Sequence, residues 1–155
     1  MTVRTGARLG VDVGSVRIGV AACDPHGMLA VPVETVPRGK GDVRRIGQLA
    51  AERDVIELVV GLPRRLAGDE GIAAAHVRAF SAELARYMAP CPVRLVDERL
   101  TTAVATKSMR ASGVSSRAGR TAVDQVAAMV ILQDALDAER MGDQPPGEVV
   151  TVTNE

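Results

Sequence analysis

The sequence predicts an α/β fold in which one five-stranded mixed sheet carries helices on its faces, with elements in the order βββαβαβαα. Two observations lead there. The first third of the chain holds three strand-like segments joined by tight turns, an antiparallel meander. From residue 42 onward, helical and strand-like periodicities alternate, the pattern of helices packed against a sheet.

The elements can be taken in order. "RLGVDVG" (8–14) alternates Leu9, Val11 and Val13 with Gly10, Asp12 and Gly14. "RIGVAAC" (17–23) follows at once, and "LAVPVETV" (29–36) comes after the "DPHG" turn at 24–27. Residues 42–53 place Val43, Ile46, Leu49 and Ala50 at helical spacing. "VIELVVG" (55–61) is a short apolar run before Leu62 and Pro63, the mark of a buried strand. The polar, glycine-bearing stretch 64–71 reads as a loop, and 72–88 as a helix that Pro90 ends. "PVRLVDERL" (92–100) is the fifth strand. A short helix over 101–112 stops at Gly113, and the last helix covers 121–140. The reading gives one domain over residues 1–140 and a loose tail over 141–155.

Composition narrows the function. The chain has 155 residues and no apolar run of membrane-spanning length, and its N-terminus lacks the apolar core of a secretion signal, so the expected location is the cytoplasm. Cys23 and Cys91 are isolated and expected to be reduced. His26 and His76 lie far apart, which disfavours zinc and histidine-centred acid–base chemistry. Phe80 and Tyr87 are the only aromatics, too few for a base-stacking platform, so any nucleic acid should be held by its backbone. Formal charge is zero. The tail holds Asp143, Glu148 and Glu155 and no base, leaving 19 bases against 16 acids in the rest.

Three acidic positions stand out. Asp12 lies in an apolar strand with glycine two residues to either side, on the face that Gly10 and Gly14 leave without a Cβ. A carboxylate there either accepts backbone N–H bonds, lies at an exposed edge, or holds a ligand. Asp97 and Glu98 end the fifth strand and point to opposite faces, so only one of them shares a face with Asp12. Alternation groups Asp97 with Leu95 and Glu98 with Val96; a surface pair with Arg99 is the plainer role. Asp124 lies on the otherwise apolar stripe Ala127, Ala128, Ile131, or closes a capping box with Thr121. Together the three suggest carboxylates brought to one point. Oxygen-only ligands suit Mg²⁺ or Mn²⁺, one or two ions, and such ions promote phosphodiester hydrolysis. Arg17, Lys107, Arg117 and Arg120 are candidate phosphate holders, with Arg120 one helical turn before Asp124.

Four blocks, "GVDVGSVRIGVA", "VVGLP", "VRLVDERLTT" and "GRTAVDQVAAMVILQ", occur in this order and resemble the signatures of the YqgF family, also called RuvX. The resemblance spans residues 9 to about 133. It implies an RNase H-like fold and a metal-dependent nuclease that matures the 5′ end of pre-16S ribosomal RNA, or resolves Holliday junctions. Carried over, the family's acids fall on Asp12, Glu98 and Asp124, with Asp97 as the neighbour of Glu98. The "GLP" turn is Gly61–Pro63, and the loop after it, with Arg64 and Arg65, is expected to touch nucleic acid. The expected partner is structured RNA or branched DNA, and the expected state a monomer or homodimer; a resolvase cutting symmetrically requires the dimer. Two other classes fit the sequence less well. The first block also resembles the phosphate-binding hairpin of actin-like ATPases, but those need two such domains. A non-catalytic RNA-binding module has no use for three acids beside a phosphate backbone.

Overall fold

The computed structural model describes residues 4–65, 67–98 and 117–152, with the side chains of 117–122 outside that set. One six-stranded sheet has the order β3-β2-β1-β4-β5-β6. Its strands are β1 (Arg8–Val13), β2 (Arg17–Cys23), β3 (Ala30–Pro37), β4 (Glu57–Leu62), β5 (Val93–Asp97) and β6 (Glu148–Val149). The described helices are α1 (Asp42–Glu52), α2 (Ile72–Met88) and α3 (Arg117–Gly142). Strands β1, β4 and β5 run parallel; β2, β3 and β6 pair antiparallel to their neighbours.

Alternation divides the sheet into two faces. Leu9, Val11 and Val13 of β1 join Leu58, Val60 and Leu62 of β4 in a core beneath α1 and α2. On the other face, Val59 and Val96 pack with Ile131, Leu132, Ala135 and Leu136 of α3. Prolines 32 and 37 fall in β3, an edge strand, where a missing N–H is tolerated.

Two expectations are corrected. The sheet has six strands, because part of the presumed loose tail pairs with the outer edge of β5. The N–H of Val150 donates to the carbonyl of Val93 at 2.8 Å, and Arg78 reaches Glu148 at 2.7 Å. A two-residue strand is too short to show a period in sequence. The last helix already includes Arg117, ahead of residue 121, so Asp124 lies about two turns inside its described part and closes no capping box. The expected helix over 101–112, with Lys107, lies outside the described residues.

Candidate active site

The glycines flanking Asp12 along its own strand do not simply clear space for a ligand. A Cβ on Gly10 would lie 2.7 Å from Cβ of Leu132 and 2.8 Å from the carbonyl oxygen of Ala128, so Gly10 admits the backbone of α3. Gly14 forms the β1–β2 turn, its N–H donating to the carbonyl of Arg17 at 2.9 Å. The decisive glycines lie across the sheet from Asp12. Gly19 of β2 is its registered partner, and a Cβ there would collide with the backbone carbonyl of Asp124. On the opposite flank, Val11 pairs with Val60, and the next step along both strands leads to Asp12 and Gly61. A Cβ on Gly61 would lie 2.6 Å from Oε2 of Glu98. Asp12 is thus flanked by two residues without side chains. One admits the helix turn that carries Asp124, and the other the carboxylate of Glu98.

This separates Glu98 from Asp97. Asp97 pairs with Leu62 and follows Leu95 on the α1/α2 face, half-buried. Glu98, one residue past the end of β5, has its carboxylate on the face of Asp12 and α3. Asp12, Glu98 and Asp124 are all buried, at 1%, 3% and 1% exposure. Carboxylates so removed from water need positive charge or hydrogen-bond donors nearby. For Asp124 one source is Arg17, whose Nε donates to Oδ2 at 2.7 Å.

The family profile described as RuvX, Holliday junction resolvase, matches residues 6–138. The chain belongs to the RuvX family. It is a nuclease, a hydrolase of phosphodiester bonds. It is 60% identical to a protein of Streptomyces coelicolor described as "Putative pre-16S rRNA nuclease", over 97% of this chain and 91% of that one. A protein of Streptomyces avermitilis with the same description is 58% identical, over 98% of this chain and 99% of its own. Among solved structures, RuvC of Thermus thermophilus in complex with a Holliday junction substrate superposes with a TM-score of 0.53 at 15% identity, covering 91% of this chain and 99% of that one. That likeness concerns the fold, the RNase H-like sheet with its mixed strand order.

The basic residues of this RuvX-family chain divide differently from the sequence reading. Arg17, expected on phosphate, has its Nε against Asp124 and so sets that carboxylate. Arg64 faces Glu70 at 3.8 Å and Arg65 faces Asp69 at 3.0 Å, so the loop after β4 carries its own counter-charges. Arg117 and Arg120 lie at the start of the described part of α3, their side chains outside the described set. Sequence reasoning missed Arg38. Its Nη1 donates to the carbonyl of Gly14 at 2.9 Å, and its guanidinium stands over the ring of Phe80, 5.1 Å from the centroid. A cavity of about 670 Å³ opens beside Glu98 between the β1–β2 turn, Arg38 and the start of α2.

A second charged cluster occupies the same sheet face at its other end. Arg8, Glu57 and Glu139 are buried, and Arg4 bridges the two acids at 2.9 and 2.8 Å. Arg8 reaches Glu139 at 3.0 Å and Arg94 reaches Glu57 at 3.0 Å. Burial works to raise the Glu139 pKa, but hydrogen bonds from Arg4 and the charges of Arg4 and Arg8 hold it below the usual range. These acids are satisfied by arginines and tie β1, β4, β5 and α3 together.

Proposed function

We propose that this chain is a metal-dependent endonuclease that cuts structured RNA, maturing the 5′ end of pre-16S rRNA in the cytoplasm, with Asp12, Glu98 and Asp124 as its catalytic acids. The observation that carries this is the placement of Asp12 between Gly19 and Gly61, with Asp124 and Glu98 entering over those two glycines. The RNA substrate is supported by the descriptions of the two Streptomyces relatives.

The donor set fits Mg²⁺ or Mn²⁺ in kind: three buried carboxylates and no nitrogen or sulfur. Among the described residues, no three acidic, histidine or cysteine side chains are gathered into one ligand group, and Asp124 is engaged by Arg17. Asp12, Glu98 and Asp124 would hold the ion, with Asp97 on the far face of β5. When bound, it supplies charge that activates water for in-line attack and steadies the departing oxygen. The chain's own part is positional. The glycine flanks fix where Glu98 and Asp124 enter, Arg17 orients Asp124, and burial strengthens every charge interaction at the site. Phosphate contacts fall to the remaining basic residues, Lys107, Arg117 and Arg120 among them.

A second reading, resolution of four-way DNA by a homodimer, is favoured by the family description and the RuvC likeness. The test offers wild-type protein a 5′-extended 16S precursor RNA and a four-way DNA junction, each with Mn²⁺ or with EDTA. Metal-dependent cutting of the RNA alone supports the proposal. Symmetric cutting of the junction alone overturns it in favour of the resolvase.

A further inference from the structure

The cavity beside Glu98 has a use that phosphodiester hydrolysis does not require. We propose that it receives one unstacked nucleotide of the substrate strand, next to the phosphate to be cut. The inference rests on the nuclease reading above and adds a substrate requirement to it: an unpaired nucleotide at the cleavage position.

Four observations support this occupant. The first is continuity. Glu98 lines the cavity and also has its carboxylate against Gly61, so whatever fills the cavity adjoins one of the three acids, at the ends of β1, β4 and β5. The second is size. About 670 Å³ falls within the range of roughly 300–1,000 Å³ typical of small-molecule sites, which a duplex cannot enter. The third is lining. Val13, Pro63, Ile72, Ala73 and Val77 make apolar walls, and Ile72 is 78% exposed, a large aliphatic side chain left on the surface at the start of α2. Apolar walls suit the faces of a base better than a phosphate chain.

The fourth is Arg38. The Gly14 carbonyl and the Phe80 ring already hold its planar guanidinium, so a base stacking on it would immobilise little that is still free. His76 and Ser15 bring polar groups to the same wall. The positive end of the α2 dipole, at Ile72 and Ala73, favours the nucleotide's own phosphate. This departs from the backbone-only recognition expected from the scarcity of aromatics. The cavity uses aliphatic side chains and one clamped arginine instead. Because unstacking is least costly for a nucleotide that is already unpaired, such substrates should be preferred.

The test uses two RNA duplexes of the same sequence, one fully paired and one with a single unpaired 2-aminopurine, titrated with wild-type protein in EDTA. The proposal expects at least about tenfold tighter binding of the unpaired probe, with a change in 2-aminopurine fluorescence. Ala73→Phe, at an exposed position lining the cavity, should bring that probe to the paired level and leave binding of the paired duplex unchanged. Ile72→Ser, also at an exposed position, should weaken the preference without altering the melting temperature. Equal wild-type affinities, or a preference that survives Ala73→Phe, overturn the proposal. Cleavage of RNA in Mn²⁺ without any such preference overturns the cavity proposal alone; absence of both binding and cleavage overturns the nuclease reading with it.

Discussion

Nε of Arg17 donates to Oδ2 of Asp124 at 2.7 Å, joining the first residue of β2 to a carboxylate two turns inside α3. Asp124 is 1% exposed, so this charged bond is not interchangeable with water. Arg17→Gln should cost about 1.5–3 kcal/mol of stability, the usual worth of a hydrogen bond to a charged group. If the loss comes from the carboxylate left behind, the double variant Arg17→Gln/Asp124→Asn will be less destabilised than the two single losses summed. Urea unfolding of the four proteins measures that coupling; strict additivity would mean that the pair contributes nothing.

Gly19 and Gly61 flank Asp12 but should fail differently. A Cβ on Gly19 meets the backbone of Asp124, which cannot rotate away. Gly19→Ala should therefore displace α3 and destabilise the protein by about 1–3 kcal/mol. At Gly61 the neighbours are side-chain ends, Oε2 of Glu98 and Cδ1 of Ile131. Gly61→Ala should cost about 1 kcal/mol, yet lower cleavage by about a hundredfold because Glu98 is pushed aside. Melting temperature and single-turnover rate, measured on both variants, separate the two effects.

The arginine–glutamate cluster at the far end of the face makes a pH prediction. Glu139 titrates below its usual value of 4.5 in the folded protein, because Arg4 and Arg8 outweigh the effect of burial. A carboxylate with a lowered folded pKa stabilises fully above its unfolded pKa. That contribution is lost as pH falls through 4.5 toward the lower folded value. Glu139→Gln should cost about 3–5 kcal/mol at neutral pH, since it strands buried arginine charge, and should flatten the acid limb of the stability profile. Melting temperatures from pH 7 down to pH 3 check both. An unchanged acid limb would assign acid unfolding to other carboxylates.

Ending the chain at Gly142 should expose the outer edge of β5, which β6 and Val150 now pair. The expected result is a lower melting temperature and concentration-dependent association, because an unpaired edge is a template for another chain. Size-exclusion chromatography of the shortened protein at two concentrations tests this.

Much of this was legible in the sequence because period and punctuation agree. Alternation in 8–13, the tight connection before 17–23, the helical stripe at Val43, Ile46 and Leu49, and Pro90 after α2 mark elements that the structure places within a residue or two. Alternation also put Asp97 and Glu98 on opposite faces. It left open which of them meets Asp12, because that depends on how β5 lies relative to β1, with β4 between them. The importance of Gly19 and Gly61 was hidden for the same reason. Both are separated in sequence from the acids they admit, and only sheet register and helix docking bring them together. Arg17 read as a phosphate holder because sequence shows its charge but not the carboxylate on α3.

The carboxylate of Asp12, set between those glycines, should be required for chemistry and not for folding. This requirement is tested most directly by single-turnover cleavage of a 5′-extended 16S precursor RNA in Mn²⁺, comparing wild type with Asp12→Asn. Asp12→Asn should leave the melting temperature unchanged and lower the cleavage rate by about a thousandfold, the loss of several kcal/mol of transition-state stabilisation. An Asp12→Asn protein that folds and cuts at the wild-type rate would contradict it.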